Sequence, residues 1–392
     1  MNDVVILAAC RTPIGKFQGA LSTIPAPELG AIAIRAVLAQ SGIDPAEVDE
    51  VIMGNVLGAG LGQAPARQAA LRAGLPDSVS ALTINKVCGS GLKAIMLAAQ
   101  AIRAGDADVV VAGGLESMSR APFLVDRNGP ALGDRKLVDS LLHEGLTCAV
   151  SDRSMGLIAE GLASSAEVSR ADQDQFALES HRRATAAIAA GHFHDEITAV
   201  NVAQRSGQLI VAQDEGPRPD AAIERLGKLT PAFSSGGSVT AGNASMISDG
   251  AAAVVVTSRR YQQERGLKAL ARIVSSATAG LAPTELFVAP VPAIRLALER
   301  ARLTTADIDL FEINEAFAVQ VLACVRQLGL SLDRVNVNGG AIALGHPLGC
   351  SGARVAVTLL HAMRRQQARH GIAALCLGGG NAVAAVFEAV NN

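Results

Sequence analysis

The sequence predicts an α/β protein in which two similar halves, each with a sheet covered by helices, pack together. Strand-like and helix-like hydrophobic patterns alternate along the chain, which indicates layered sheets that bury both faces. A segment around residue 34 recurs around residue 294. Glycine accounts for 39 of the 392 residues and aromatic residues for only 3%, which favours close contact between helices and sheets.

The internal repeat begins with a helix, a short turn and a strand. Ile34 matches Ile294, a shift of 260 residues, and the likeness extends through strands predicted at 51–53 and 310–313. A duplication constrains the fold more strongly than local propensity does. We therefore expect two equivalent units related by a pseudo-twofold axis.

Each half continues with a helix that opens at a cysteine among glycines, Cys88 in the first half and Cys350 in the second. Gly105 is placed to end the first of these helices. We expect the N-termini of the two helices to meet near the pseudo-twofold axis. The strands predicted to complete the sheets are 108–112, closed by Gly113 and Gly114, then 251–257, 373–377 and 382–387.

A long insertion separates the last two strands of the first half. It is rich in Ser, Asp, Arg and Gly, and it contains a loop-like stretch at 213–219. Lobes of this kind commonly carry cofactor or subunit contacts. The predicted domains are an N-terminal half of residues 1–114 plus 250–268, an inserted loop domain of residues 115–249, and a C-terminal half of residues 269–392.

Charge and cysteine usage narrow the class of protein. The net charge of −2 and the scattered lysines and arginines predict no binding to nucleic acid or to a membrane. The six cysteines lack paired spacings, which favours reduced thiols over disulfides or a zinc site. With no leader segment or membrane-length apolar run recognised, we expect a cytoplasmic protein.

The segment from Asn85 to Leu92 predicts a strand, a turn and a helix start that carries Cys88. The flanking glycines would let a substrate approach the sulfur, and the helix N-terminus would favour the thiolate. A lone cysteine is more often a buried core residue. The surrounding turn nevertheless favours a nucleophile here.

Two further glycine-rich segments supply candidate partners for this nucleophile. Residues 338–349 place His346 in a loop before a helix, where an imidazole can act as a base. Cys376 ends a strand and precedes three glycines at 378–380, whose N–H groups can point at an oxyanion. A loop histidine is ordinarily a surface residue, so the prediction depends on the combination.

These segments, together with the run Asn-Glu-Ala-Phe-Ala at 314–318, resemble the thiolase family in content and in order. Further thiolase-like stretches at 63–68, 112–119 and 240–245 extend the resemblance over nearly the whole chain. It implies the five-layered α-β-α-β-α thiolase fold, with an inserted loop domain that binds coenzyme A. It also implies a homodimer or homotetramer that makes or breaks the carbon–carbon bond of a 3-oxoacyl-CoA with ping-pong kinetics.

The resemblance implies catalytic roles for four side chains and two backbone groups. Cys88 would attack the carbonyl and hold the acyl group, with His346 taking the thiol proton. Cys376 would remove the α-proton of the second acyl-CoA, or protonate the departing enolate. One oxyanion site would use His346 and a water held by Asn314, and the other would use the N–H groups of Cys88 and Gly378.

The resemblance also implies how substrates bind. Coenzyme A and acyl-CoA are expected as substrates, with no tightly bound cofactor and no metal. Ser245 would lie near the pantetheine and Arg218 near the adenine nucleotide. The other residues expected at the bound substrate are Leu146, Met155, Phe233, Ala316 and Phe317.

The chain departs from the short-chain biosynthetic pattern beside the expected acyl tunnel. Ser154 stands where those enzymes usually have His, and Met246 stands where Gly is usual. Residues 286–290 read Leu-Phe-Val-Ala-Pro in place of Met-Gly-x-Gly-Pro. Added volume in a packed pocket redirects or excludes substrates, so the preferred acyl group stays open.

Several alternatives are also open at this point. Glycines within 58–62 suggest a dinucleotide loop, but the last glycine of the fingerprint and the acidic partner are missing. Residues 192–196 could mimic a metal cluster, although they resemble a solvated turn. A ketosynthase or hydroxymethylglutaryl-CoA synthase would share the fold and nucleophile, but a ketosynthase usually pairs its Cys with two His. A catalytically silent binding protein is the alternative from another class.

Overall fold

The structure is a computed structural model that describes residues 3–129, 131–205 and 207–390. Its strands in these ranges are β1 (Val4–Arg11), β2 (Gly15–Lys16), β3 (Glu50–Gly54), β4 (Ser80–Ile84), β5 (Val109–Ser117), β6 (Phe123–Leu124), β7 (Val138–Asp139), β8 (Thr147–Cys148), β9 (Arg153–Ser154), β10 (Val200–Gln204), β11 (Gly207–Val211), β12 (Ser248–Ser258), β13 (Ala271–Gly280), β14 (Leu310–Ile313), β15 (His370–Leu377) and β16 (Asn381–Ala389). Its α-helices there are α1 (Ala26–Ser41), α2 (Pro65–Ala73), α3 (Ser90–Ala104), α4 (Met155–Ser165), α5 (Arg170–Ala189), α6 (Ile223–Leu226), α7 (Arg259–Glu264), α8 (Pro290–Ala301), α9 (Ala318–Leu328), α10 (Ala341–Leu344) and α11 (Leu348–Gln366).

The two halves form mixed sheets with the same strand order. The first half runs β1-β12-β5-β3-β4, and the second runs β13-β16-β15-β14, with β13 in the place of β1. The strand directions also match between the halves. β3 is parallel to β5 in the first half, and β14 is parallel to β15 in the second. β1 is antiparallel to β12, and β13 is antiparallel to β16. A short antiparallel pairing of Val5 with Arg272 and of Ile6 with Ala271 joins the sheets.

The predicted repeat is confirmed in its first elements. α1 and α8 are the helices around Ile34 and Ile294. The turn of 3₁₀ helix that follows each of them, Pro45–Glu47 and Thr305–Asp307, keeps the shift of 260 residues. The duplicated pattern in the sequence therefore corresponds to duplicated structure.

The end of one predicted strand was wrong. Gly105 does end α3 with a left-handed φ of 87°, as expected. However, β5 does not close at Gly113 and Gly114 but continues to Ser117. The reason is that β12 pairs with β5 along this whole stretch, so the backbone hydrogen bonds continue past the glycines.

Apolar side chains define five layers. α3 and α11 lie in the middle, where residues such as Ile95 and Leu359 pack with the inner faces of both sheets. α1 and α2 cover the outer face of the first sheet, and α8 and α9 cover the outer face of the second. The order of helix, sheet, helix, sheet and helix is the predicted α-β-α-β-α arrangement.

The two central helices cross at a pair of glycines. A Cβ atom on Gly91 would lie 2.5 Å from the backbone nitrogen of Ala353, and one on Gly352 would lie 2.3 Å from that of Leu92. These contacts are reciprocal between the halves and leave no room for a side chain. They bring the first turns of α3 and α11 together, as the sequence predicts.

The insertion between β5 and β12 holds the elements from β6 to β11 and from α4 to α6. Its strands form three two-stranded sheets, apart from the main sheets. The predicted domain boundaries stay a prediction, and both β5 and β12 extend into the interval 115–249. Within the described residues, no helix combines the length and the hydrophobicity that crossing a bilayer requires.

Candidate active site

Cys88, His346 and Cys376 line one cavity with a volume of about 650 Å³. Cys88 lies just before α3, His346 just before α11, and Cys376 near the end of β15. The two halves thus contribute reactive groups to one space, because the central helices start side by side. A cavity of this size suits a small-molecule substrate.

The other predicted site residues surround the same cavity, apart from Asn314. Those that line it are Gly378, Ser245, Arg218, Leu146, Met155, Phe233, Ala316 and Phe317. Asn314 lies behind the wall, with its Nδ2 atom 3.5 Å from the ring nitrogens of His346. Their shared position around the cavity does not by itself assign their roles.

Cys88 sits in a turn that directs backbone N–H groups at its sulfur. The preceding Val87 has a φ of 47°, a left-handed conformation that strains a β-branched residue. The N–H groups of Cys88 itself and of Gly378 approach the sulfur and act to lower the pKa of the thiol. Burial nevertheless raises the pKa of the Cys88 thiol to about 12.

Two sequence expectations about this turn were wrong. The thiolate is not the favoured form of Cys88, because burial of the sulfur outweighs the partial positive charge of the helix N-terminus. Gly89 does not open a path for substrate either. A Cβ atom there would lie 2.2 Å from the side chain of Leu377, so this glycine makes room for packing within the protein.

His346 is held so that one ring nitrogen is free to accept a proton. Its Nδ1 atom lies 2.6 Å from the Oγ atom of Ser351, whose hydroxyl group donates to the carbonyl of Pro347 at 2.8 Å. With that hydroxyl proton directed at Pro347, we assign Nδ1–H as the donor to Ser351, which leaves Nε2 unprotonated. Burial, reinforced by the positive charge of Arg354, lowers the pKa of His346 to about 3.

Cys376 is the second thiol of the cavity and is only 2% exposed. Burial raises its pKa well above the ordinary value, and the proximity of Cys88 adds to the shift. Both thiols and the imidazole are therefore neutral at rest. Such groups can exchange protons with a bound substrate.

Aromatic side chains build the apolar wall of the cavity. Phe317 makes edge-to-face contacts with Phe287 and Phe233, with ring centroids 5.2 and 6.3 Å apart. Phe287 is only 2% exposed, although it belongs to the segment that departs from the short-chain pattern. Ser154 and Met246 also line the cavity, so the three departures share one space.

The insertion also contributes polar groups to the cavity lining. Ser245 is fixed by its N–H group, which donates to the carbonyl of Ala316 at 3.0 Å. The N–H group of Arg218 donates to Nδ1 of His181 at 3.2 Å. Burial and the nearby Arg218 charge lower the pKa of His181 to about 4, so its ring is neutral and can accept this bond.

Sequence reasoning did not assign a role to Ser351 or to Glu116. Glu116 is fully buried and accepts hydrogen bonds from the N–H groups of Val56, Leu57 and Gly349. It therefore ties the end of β3 to the first turn of α11. The repeat offered a signal for Ser351, because it corresponds to Ser90 in the other half.

The residues at 192–196, which the sequence suggested as an alternative metal cluster, bond to other protein groups. Nδ1 of His192 lies 3.3 Å from Oδ1 of Asn338, and Glu196 accepts from Arg11 at 2.6 Å. In the described ranges, no group of three or more His, Cys, Asp or Glu side chains is arranged to hold a metal ion.

Comparison with known families covers nearly the whole chain. Residues 4–260 match the family described as "Thiolase, N-terminal domain", and residues 267–389 match "Thiolase, C-terminal domain". An acetyl-CoA acetyltransferase of Pseudomonas aeruginosa is 56% identical over 387 residues, which cover 98% of each chain. One of Escherichia coli is 52% identical over 394 residues, which cover 100% of each chain.

Solved structures agree with these matches. The crystal structure of the Bacillus anthracis acetyl-CoA acetyltransferase superposes with a TM-score of 0.98 at 44% identity, covering 100% of this chain and 99% of that one. Human mitochondrial 3-ketoacyl-CoA thiolase superposes with a TM-score of 0.96 at 42% identity, covering 99% of each chain. Fold, sequence and full-length coverage lead to one conclusion: this chain belongs to the thiolase family and is an acyltransferase.

Proposed function

We propose that this chain catalyses the CoA-dependent cleavage of a 3-oxoacyl-CoA, and the reverse condensation of two acyl-CoA molecules, through an acyl group held on Cys88. The observation that carries the proposal is the convergence of Cys88, His346 and Cys376 on one cavity. A thiol with a raised pKa beside a neutral imidazole favours general base catalysis over a preformed ion pair.

The first half of the cleavage transfers the acyl group to the enzyme. Cys88 gives its proton to Nε2 of His346 as the sulfur attacks the 3-oxo carbonyl carbon. The bond between C2 and C3 then breaks, and its electron pair forms the enolate of the departing acyl-CoA. Cys376 protonates C2, a role that suits a buried thiol which is still protonated at neutral pH.

The second half of the cleavage regenerates the enzyme. The thiol of coenzyme A gives its proton to the Cys376 thiolate as its sulfur attacks the acyl group on Cys88. The shortened acyl-CoA leaves, and Cys88 recovers its proton from the His346 imidazolium. Because the first product leaves before coenzyme A reacts, ping-pong kinetics follow.

Two donor sets are available to stabilise the oxyanions. The N–H groups of Cys88 and Gly378 already point at the Cys88 sulfur, so they suit the oxygen of a thioester formed there. Nδ2 of Asn314, close to His346, supports the other oxyanion site. Loss of one such donor commonly lowers the rate by ~10²–10³.

The residues that line the cavity and the names of related proteins both support acyl-CoA and coenzyme A as substrates. Arg218 supplies a guanidinium group suited to phosphate, and Ser245 supplies a hydroxyl group near the expected pantetheine. The names of the bacterial relatives support acetyl-CoA as one substrate, and the thiolase chemistry supports a place in fatty acid metabolism. No tightly bound cofactor is part of the proposal.

We also propose a homodimer or homotetramer in a reducing, cytoplasmic environment. β4 is the terminal strand of the joined sheets, and its Leu82 is 43% exposed. An open edge of this kind is commonly covered by a second copy. The free state of all six cysteines supports the reducing compartment, and the net charge of −2 supports a protein without nucleic acid or membrane partners.

Thiolysis of acetoacetyl-CoA, followed by the loss of enolate absorbance after coenzyme A is added, tests the proposal. The wild type should turn over, and Cys88→Ser should lose roughly 10³-fold or more in kcat. Cys376→Ser should still gain an acetyl group on Cys88 from acetyl-CoA, visible by intact mass, yet fail to cleave.

The matched control is Cys10→Ser, which changes a buried thiol that does not line the cavity but bonds Gln40. It should keep wild-type turnover. Absence of turnover by the wild type with any 3-oxoacyl-CoA would instead favour a silent binding protein.

A further inference from the structure

The central helix α11 buries a row of polar side chains along one stripe. Ser351, Arg354, Thr358 and His361 are spaced by three, four and three residues, and all are at most 6% exposed. Three of them make hydrogen bonds: Ser351 with His346, Thr358 with Glu196, and His361 with the carbonyl of Ala9. Arg354 is the exception.

The guanidinium group of Arg354 has no hydrogen bond to any described residue. Its Nε, Nη1 and Nη2 atoms are buried and unpartnered, and so are both carboxyl oxygens of its neighbour Glu312. The closest approach of the two groups is 3.7 Å, from Nη1 to Oε2. Most buried polar groups are bonded, so an unpartnered buried pair calls for an explanation.

Arg11 is a buried arginine of the same chain that is hydrogen-bonded, in contrast to Arg354. It is equally buried, but its Nε atom donates to Glu196 at 2.6 Å, and its two Nη atoms donate to Asp214 at 2.7 and 2.9 Å. A buried arginine that only stabilises the fold is expected to be paired and hydrogen-bonded in this way. Arg354 is not, so its positive charge remains available to act on its surroundings.

The unpartnered pair is close enough to the proposed base for the Arg354 charge to act on the His346 ring. Arg354 is one helical turn from Ser351, which holds Nδ1 of His346. Glu312 is two residues before Asn314 on β14, so both side chains face the central layer, while Phe311 and Ile313 pack into the outer cluster. Asn314 and Arg354 therefore approach His346 from the strand and from the helix.

We propose that Arg354, with Glu312 beside it, is a positioning residue for His346: its unbonded positive charge keeps the imidazole neutral and able to accept the Cys88 proton. The proposal rests on the proposed function of His346 as the base. Burial strengthens the interaction between charges, so a second positive charge on the imidazole is disfavoured beside Arg354.

The titratable groups around His346 support this assignment. Besides Arg354 they are the thiols Cys88 and Cys376 in the cavity, and the carboxyl groups Glu116, Glu312 and Glu315. Glu116 is bonded to backbone N–H groups, and Glu315 is bonded to Ser180 and Asn336. Burial raises the pKa of Glu312 to about 8, so its carboxyl group does not fully neutralise Arg354 at neutral pH.

Alkylation of Cys88 by iodoacetamide, measured across pH 5 to 9, tests the proposal on the full-length protein without needing turnover. In Arg354→Met, His346 should become more basic and draw the proton from Cys88. Alkylation at pH 6 should then rise about tenfold or more, since one unit in pKa is a tenfold change in population.

The control Arg354→Lys keeps the charge and should keep the wild-type alkylation profile and pH dependence. Glu312→Gln keeps the guanidinium and should not raise alkylation. If Arg354→Met does not fold, the double variant Arg354→Met with Glu312→Leu replaces the buried pair by apolar groups, a change proteins often tolerate. It should show the same rise in alkylation.

Equal alkylation profiles for the wild type and the methionine variants would overturn the proposal, and so would equal profiles for Arg354→Met and Arg354→Lys. A wild type that does not cleave any 3-oxoacyl-CoA would contradict the proposed function instead. The alkylation series would still report on the pair in that case, so the two failures can be told apart.

Discussion

At the scale of single residues, the site is set by burial more than by charge pairing. Burial raises the pKa values of Cys88 and Cys376 and lowers that of His346, so all three groups rest in their neutral forms. The residue types and their order were readable from the sequence. Their protonation was not, because the desolvation that decides it comes from residues distant along the chain.

Ser351→Ala tests how the imidazole is oriented. The change leaves Nδ1–H of His346 without its acceptor at 2.6 Å, so the ring can turn or change tautomer. We expect kcat for thiolysis to fall about tenfold, consistent with one lost hydrogen bond to the proposed base, while KM changes little. Ser351→Thr keeps the hydroxyl group and should recover part of the activity. A selective rise in KM would contradict this orienting role.

Met246→Ala tests whether the departures from the short-chain pattern limit the acyl group. Met246 lines the cavity and is only half-buried, so its truncation should cost little stability. The ratio of kcat/KM for longer 3-oxoacyl-CoA substrates to that for acetoacetyl-CoA should rise about tenfold or more, because the space of a single methylene group already changes such ratios by roughly tenfold and this truncation opens more than that. Leu142→Ala at the 53% exposed rim of the same cavity is the control and should leave the ratio unchanged.

At the scale of elements, the repeat made most of the fold predictable. The strands around Val51 and Leu310 and the helices that start after Cys88 and His346 follow the hydrophobic pattern and the glycines. The continuation of β5 to Ser117 did not, because pairing with β12 across the insertion overrides the local tendency of two glycines to end a strand.

Gly91→Ala tests the crossing of the central helices. Its Cβ atom would lie 2.5 Å from the backbone of Ala353, so the helices must separate. We expect the free energy of unfolding to fall by roughly 1–3 kcal/mol, and thiolysis to weaken as Cys88 and His346 move apart.

The matched control is Gly161→Ala within α4, where a Cβ atom meets nothing within 4 Å. Helix propensity predicts a gain there of up to about 1 kcal/mol. Urea denaturation measures both, and similar changes would contradict the packing argument.

At the scale of the whole molecule, a buried ion network binds the insertion to the first sheet and to the central helix layer. Arg11 on β1 bonds Glu196 and Asp214 of the insertion, and Glu196 also accepts from Thr358 on α11. These partners lie far apart in the sequence, so no local pattern predicted the network. The segment that it anchors leads directly to Arg218, the residue expected at the adenine nucleotide of coenzyme A.

Asp214→Ala tests this coupling between stability and substrate binding. It removes the bidentate partner of Arg11 and leaves a guanidinium group buried with fewer acceptors, so the free energy of unfolding should fall by about 3–5 kcal/mol. It also removes the acceptor for the N–H group of Ile14 at 2.8 Å, which loosens the loop at 213–219. KM for coenzyme A should therefore rise while the chemistry at Cys88 persists.

The control Arg260→Ala breaks an ion pair with Asp108 whose side chains are 64% and 41% exposed, and it should cost less than about 1 kcal/mol without changing KM. Urea denaturation and steady-state kinetics on both variants decide the matter: an unchanged KM in Asp214→Ala would mean that the network stabilises the fold without ordering the coenzyme A loop.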